Sequence, residues 1–351
     1  MAAPGPRNLI TDVPGILVGQ AEDRAAITGT TVVLAEAPAI AAVDVRGGAP
    51  GSRETELLGP GTLVERADAI VLSGGSAFGL DAAGGAMEFL AEAGRGFQVR
   101  DARVPIVPAA IVFDLAFPGR RAWTHGHPYR RLGWLAASHA GREFALGNAG
   151  AGLGAKAGQL KGGVGSASLT LSEGGAVGAI AIVNCAGSVV RPDNGRLWAA
   201  EYALAGEIPP QPPAPDTPLD SEDFSACGPW ATLTNTTVAV VATDLPLDKN
   251  GCRRLAVMAQ DGLARAIRPA HTPFDGDTVF VLSTGTGEPI GPYRLSRLGS
   301  AAADCLARAI MRGVVAAEPL GGYPSWPERW GVRPRRAGGA SGRTPPARPG
   351  S

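Results

Sequence analysis

Apolar residues recur along the first 200 positions in short β-branched or alanine-rich runs, most of them ended by a glycine-containing turn. Thr30–Leu34, Ala39–Val45 and Ala69–Leu72 have the length and composition of strands. The third runs into the turn Ser73-Gly74-Gly75-Ser76, after which Leu80–Ala93 shows the small and apolar spacing of a buried helix. Asp81 lies near its start, where a carboxylate complements the helix dipole. Gly147–Ser168 is almost entirely Gly, Ala and Ser around two lysines, and with the β-branched run Val177–Val183 ending in Asn184 it predicts two strands of a buried sheet. Residues 206–230 carry Ile208-Pro209-Pro210-Gln211-Pro212-Pro213-Ala214-Pro215, which can continue neither a helix nor a central strand, so an exposed Pro-rich loop is expected. Downstream, Thr236–Thr243 and Asp277–Ser283 read as strands, and Arg253–Ile267 and Leu295–Val315 as amphipathic helices, in the order β, α, β, α. Beyond Gly321 the composition turns to Pro, Gly and Arg with Trp326 and Trp330, and residues 335–351 are expected to be a disordered tail.

Composition narrows the class. A chain of 351 residues makes one large domain or two small ones. Lys+Arg and Asp+Glu are both 32 and no long stretch is of one sign, which argues against nucleic-acid and membrane-surface partners. The longest apolar runs fall far short of the ~20 residues of a membrane-spanning helix. The N-terminus shows no secretory pattern, so a soluble, cytoplasmic protein is expected. Gly (50) and Pro (30) follow no triplet period and read as tight turns in a packed fold. Cys185, Cys227, Cys252 and Cys305 lack paired spacing and read as free thiols.

Several stretches invite chemistry. Gly74–Gly79 matches neither GxGxxG nor Gly-Lys-Ser/Thr, so close strand–helix packing is preferred to nucleotide binding. His125-Gly126-His127 cannot place two ligands on one helix face, and neither HExxH nor GxSxG occurs around any of the four histidines. More informative is Leu233–Asp244, where a Pro-rich loop enters a strand whose first residue, Thr236, follows Asn235. A strained peptide there would let the Thr236 hydroxyl attack the Asn235 carbonyl, and hydrolysis of the resulting ester would leave a free α-amine on Thr236. With an ordinary pKa of about 7.7–8.0, that amine can act as general base to its own hydroxyl. The alternative is plain turn chemistry at a strand entry. Asp275-Gly276-Asp277 sets two carboxylates at the head of the next strand, either as a solvated turn or as a pair that orients an ammonium and a hydroxyl. With three lysines against 29 arginines in the chain, Lys156 and Lys161 within one glycine-rich block are unexpected. Lys161 reads as a charged oxyanion donor or a surface lysine, and Asn184 as a neutral donor or a turn cap.

Five ordered motifs then carry a resemblance: Asn8-Leu9-Ile10-Thr11-Asp12-Val13-Pro14-Gly15, Val43-Asp44-Val45-Arg46-Gly47-Gly48-Ala49-Pro50-Gly51, Leu72-Ser73-Gly74-Gly75-Ser76-Ala77-Phe78-Gly79-Leu80, Leu160-Lys161-Gly162-Gly163-Val164-Gly165 and the Asn235-Thr236 junction. Together they resemble the self-processing family of L-aminopeptidase/D-esterase, the β-peptidyl aminopeptidases and the nylon-oligomer (6-aminohexanoate oligomer) hydrolases, over roughly residues 8 to 315. The resemblance implies an α+β fold, a four-layer αββα sandwich similar to N-terminal-nucleophile hydrolases. It implies one cut into a large chain, 1–235, and a small chain, 236–351, that stay together as one domain. Thr236 would be the nucleophile and Asn235 the residue on the departing side; a Thr nucleophile with the acidic pair Asp275 and Asp277 resembles most closely the nylon-oligomer hydrolase branch, whereas the aminopeptidases use Ser. Lys161 and Asn184 match the family's Lys-Gly-Gly and strand-end Asn. A tyrosine expected near the substrate is not placed by the motifs, since the context of Tyr129 does not settle it. Short linear amides would be the substrates, either amino-terminal peptides or nylon-type oligomers, with no metal or organic cofactor and a homo-tetramer or larger assembly. The rival readings are a self-cleaving acyltransferase of the ornithine-acetyltransferase kind, a non-catalytic binding protein on the same fold, and a nucleotide binder using the Gly74–Gly79 turn.

Overall fold

The computed structural model describes residues 3–119, 123, 126–204, 206–216, 218, 220–228 and 235–331. The expected tail 335–351, His125 and the last residues before Asn235 lie outside the described residues. In chain order the elements are β1 (Ile16–Asp23), β2 (Thr28–Val45), β3 (Ser52–Arg53), β4 (Arg66–Ser73), α1 (Ala82–Glu92), β5 (Phe97–Val99), β6 (Ala102–Val104), β7 (Ala109–Ile111) and α2 (Tyr129–Ser138). They continue with β8 (Lys156–Ala157), β9 (Leu160–Lys161), β10 (Gly163–Thr170), β11 (Ala176–Asn184), β12 (Thr236–Thr243), α3 (Lys249–Ala259), α4 (Asp261–Ala266), β13 (Thr278–Ser283), α5 (Pro292–Val315) and α6 (Trp326–Arg329).

One sheet runs β10-β11-β12-β13-β2-β4-β7-β3, with β1 also paired to β2. Among the described strands only β12–β13 and β4–β7 pair in parallel, and each needs a crossover: α3 and α4 supply the first, α1 lies in the second. The alternation of side chains shows how this sheet becomes two layers. Ile180, Ile182, Val238, Val240, Phe280 and Leu282 face a middle core, while Ala179, Ala181, Ala239, Val241, Val279 and Val281 face α3–α5. On the other layer Ile70 and Leu72 face the same middle core, and Ala69 and Val71 face α1 and α2. Three stacked cores therefore separate four layers, αββα.

The strand β2 joins the layers. The sequence suggests two strands, Thr30–Leu34 and Ala39–Val45, but they form one strand of 18 residues with a register shift between Leu34 and Ala39. Glu36, Ala37 and Pro38 between them are exposed. Val33, Ala35, Ala39, Ala41 and Val43 all look into the middle core, whereas Val32 and Leu34 face α1 and α2, and Ile40 and Ala42 face the α3–α5 layer. Pro38, which has no N–H to give a ladder, sits where the strand leaves one layer for the other.

Two expected helices change at their ends. Arg253–Ile267 is broken at Gln260 into α3 and α4; the buried Gln260 amide donates to Asp44 O at 2.9 Å. The helix after the glycine turn begins as a 3₁₀ segment, Ser76–Asp81, before α1. The glycine block around β10 serves close packing: a Cβ on Gly165 would lie 1.9 Å from Ala309 O, so α5 rests directly on the strand. All four cysteines are free and buried. Trp326 is fully buried, so ordered packing extends past Gly321.

Candidate active site

Thr236 opens β12, a strand buried along its whole length between β11 and β13. Its register partner on β11 is Asn184. Immediately upstream, Asn235 pairs with Asp275 in an isolated parallel bridge, and the Asn235 carbonyl oxygen accepts from Gly276 N–H at 3.2 Å. The Thr236 hydroxyl donates to the same oxygen. Gly276 is glycine for a steric reason: a Cβ there would lie 2.8 Å from both Thr236 Oγ1 and Ala49 O.

The Asp275-Gly276-Asp277 loop is not a solvated turn, since each carboxylate residue is 1% exposed. Asp275 Oδ1 accepts from Ala186 N–H at 3.1 Å, and Oδ2 from Thr272 N–H at 3.1 Å and the Thr272 hydroxyl at 2.5 Å. Asp277 Oδ1 accepts from Thr237 N–H at 2.9 Å, while Oδ2 accepts from His271 N–H at 3.0 Å and pairs with His271 Nδ1 at 2.8 Å. Burial, and then the neighbouring charge of Asp277, push the Asp275 carboxyl above the usual carboxylate range. The motif Val43–Gly51 wraps this loop from outside. Arg46 and Gly47 donate to Asp277 O at 3.0 and 3.3 Å, and Ala49 donates to Asp275 O at 2.8 Å.

Asn184 is fully buried at the end of β11, not a turn cap; its Oδ1 accepts from Lys156 N–H at 3.0 Å and its Nδ2 donates to Phe113 O at 3.4 Å. Lys161 is not a surface lysine either. It pairs with Lys156 across the β8–β9 hairpin, is fully buried, and its Nζ donates to Gly152 O at 2.9 Å and Gly162 O at 2.8 Å. Burial brings its pKa down to about 7 against the opposing charge of Asp114. Asp114 also accepts from Gly75 N–H at 2.8 Å and from the Thr28 hydroxyl at 2.5 Å, so the glycine turn meets a carboxylate of its own chain. The fully buried Tyr129 lies beside this carboxylate, its hydroxyl 3.3 Å from Thr28 Oγ1.

Thr236, Asn235, Asn184 and the two aspartates thus meet directly through register and hydrogen bonds, and Lys161 joins them through the β8–β9 hairpin. Sequence reasoning missed His271, Thr272 and Asp114, and it read Gly276 only as a turn glycine, not as a donor to the Asn235 carbonyl. The spacing Thr272-x-x-Asp275 was a usable signal, because a threonine hydroxyl and N–H three residues before a carboxylate readily close on it. Cys185, next to Asn184, donates to Gly187 O at 3.1 Å. Burial, with Asp275 and Asp277 adding, raises its pKa and keeps it a neutral thiol. A surface cavity of about 250 Å³ lined by Leu171, Glu173, Arg294 and Arg297 lies at the β10–β11 turn, the opposite end of these strands from Asn184.

The chain belongs to peptidase family S58, whose model matches residues 8–325, and that membership makes it a hydrolase of amide bonds. It is 46% identical over 339 residues to an "Uncharacterized aminopeptidase" of Mycobacterium tuberculosis, covering 91% of this chain and 97% of that one. It is 30% identical over 287 residues to a "6-aminohexanoate-oligomer endohydrolase" of Kocuria sp., covering 80% and 76% of the two chains. Among solved structures, the L-aminopeptidase D-Ala-esterase/amidase of Ochrobactrum anthropi, titled a new variant of the Ntn hydrolase fold, superposes with a TM-score of 0.66 at 21% identity, covering 92% of this chain and 90% of that one. The expected four-layer fold and the resemblance to this family are both met. Among the described residues no helix is long and apolar enough to cross a membrane.

Proposed function

We propose that the chain cuts itself between Asn235 and Thr236 and then hydrolyses short linear amides with Thr236 as an N-terminal nucleophile. One observation carries the reading: the carbonyl oxygen of this single peptide bond receives both the Thr236 hydroxyl and the Gly276 N–H, beside two buried carboxylates. In the first event Thr236 Oγ bonds to the Asn235 carbonyl carbon, the C–N bond to Thr236 breaks, and the nitrogen takes the hydroxyl proton. Gly276 N–H supports the charge that develops on the oxygen. Water hydrolyses the ester and leaves a free α-amine and hydroxyl on Thr236.

In turnover the amine takes the hydroxyl proton as Oγ attacks the substrate carbonyl and returns it to the departing amine, after which water releases the acyl group. Asp275 and Asp277 orient the ammonium and the strand entry. Asn184, directly across from Thr236, donates to the oxyanion. Lys161 contributes when charged, because two of its three N–H groups are already on carbonyls and one remains. Substrates are peptides with a free amino end or ω-amino-acid oligomers. The relatives named as an aminopeptidase and as an oligomer endohydrolase support this range, with identity higher to the former. The two fragments remain one unit, and units assemble as a homo-oligomer of four or more.

The test is a denaturing gel with intact mass and N-terminal sequencing of fresh wild type, Thr236→Ser and Thr236→Ala. Wild type and the serine variant are expected to give pieces of about 24 and about 12 kDa, as a cut two-thirds along a 35.6 kDa chain requires. The smaller piece begins Thr-Thr-Val-Ala in wild type, and the alanine variant stays whole. A wild-type chain that remains intact on long incubation removes the α-amine and with it this mechanism.

A further inference from the structure

His271 reaches the site through its backbone as well as its ring. Its φ is 57°, in the left-handed region that most side chains avoid. In this conformation the main-chain N–H and ring Nδ1 both meet one oxygen, Asp277 Oδ2, at 3.0 and 2.8 Å. The other oxygen takes the N–H of Thr237, the residue after Thr236. A single carboxylate thereby ties the loop before the acidic pair to the entry of β12. The Asp277 side chain is 2% exposed and the His271 side chain 22%, so the histidine is the rim of a network that is otherwise closed.

We propose that His271 is a positioning residue for amide cleavage: its ring donor and main-chain N–H hold the Asp277 carboxylate in the one orientation that sets Thr236 against its target carbonyl. The proposal rests on the reading of Thr236 as nucleophile. It assigns no contact between His271 and substrate, and acts through Asp277 alone. The left-handed backbone provides the means to test it, because glycine and asparagine both accept that conformation. His271→Gly keeps the backbone and removes the ring donor, while His271→Asn restores a side-chain N–H of similar reach.

Self-cleavage is followed by gel over time in freshly made wild type, His271→Gly, His271→Asn and Thr236→Ala, with melting temperatures recorded alongside. His271→Gly is expected to melt at or above the wild-type temperature yet cleave about 100-fold more slowly, the scale of a misplaced reacting group. Both the asparagine variant and imidazole added to the glycine variant are expected to recover a substantial part of the rate. The proposal is overturned if His271→Gly cleaves at the wild-type rate, or if it is slow and folded but neither asparagine nor imidazole restores it. Failure of wild type itself to cleave strikes the Thr236 reading instead, so the two failures are distinct.

Discussion

Lys161 is costly to the fold and has a part in the proposed mechanism. Its ammonium is fully buried on two carbonyl oxygens, and burial lowers its pKa from 10.5 to about 7. The folded chain thus binds this proton more weakly than the unfolded chain does. Between about pH 7 and 10.5 the unfolded state holds more protons, so this group makes stability rise with pH across that window. Lys161→Met, of similar length and without charge, is expected to melt higher than wild type near pH 6, with the difference shrinking toward pH 10, and to lose most amide turnover. Melting curves across that pH range, paired with activity, check both halves; a variant less stable than wild type at pH 6 contradicts the first. The unusual placement of this lysine was legible in a chain so poor in lysine. Its burial was not, because burial depends on packing against Phe117, which comes from another segment. The histidine held on Asp277 was hidden for a similar reason: its left-handed backbone and its partner's orientation are set by packing, and no motif marks them.

At the scale of elements, α5 is tied to the rest of the chain by a buried charge cluster. Arg308, 1% exposed, donates from Nε to both Glu207 oxygens at 3.1 and 2.9 Å, from its terminal nitrogens to Ser168 O at 3.1 Å and Asn8 Oδ1 at 2.8 Å, and again to Glu207. Burial works against the Glu207 carboxylate, but Arg308 with Leu204 N–H and Asn8 outweighs it and lowers the pKa from 4.5. The pair's contribution is therefore present at neutral pH and lost as the pH falls below 4.5. Glu207→Ala is expected to cost about 3–5 kcal/mol, because it strands a buried guanidinium. The double change Glu207→Leu with Arg308→Met is expected to cost far less, which urea unfolding of both variants measures. Similar losses in the two would mean that packing, not uncompensated charge, holds α5. Elements with an uninterrupted pattern, such as Thr236–Thr243 and the long α5, were readable from their own residues. The continuity of β2 was not: Glu36-Ala37-Pro38 looks like a turn, and only pairing with β1, β4 and β13 holds it as one strand.

For the molecule as a whole, the proposed cut falls at the centre of the sheet. The smaller piece would contribute β12 and β13, flanked by β11 on one side and β2 on the other, both from the larger piece. Losing one peptide bond leaves those ladders and the middle core intact, so the fragments are expected to co-elute in native size-exclusion chromatography and to separate only in denaturant. Elution of the smaller fragment alone in native buffer would contradict this. By itself the sequence determined the kinds of elements and the family and singled out the Asn235–Thr236 junction, because hydrophobic period, glycine placement and the order of short motifs are local properties. Only the tertiary structure decided that Asn184 stands opposite Thr236, that the acidic pair is buried, and that His271, Thr272 and Gly276 complete the site. Those relations rest on strand register and on the stacking of three cores, which bring Asn184 to Thr236 and the distant Arg46 and Ala49 to the acidic pair. No local pattern encodes such a register until the layers have packed.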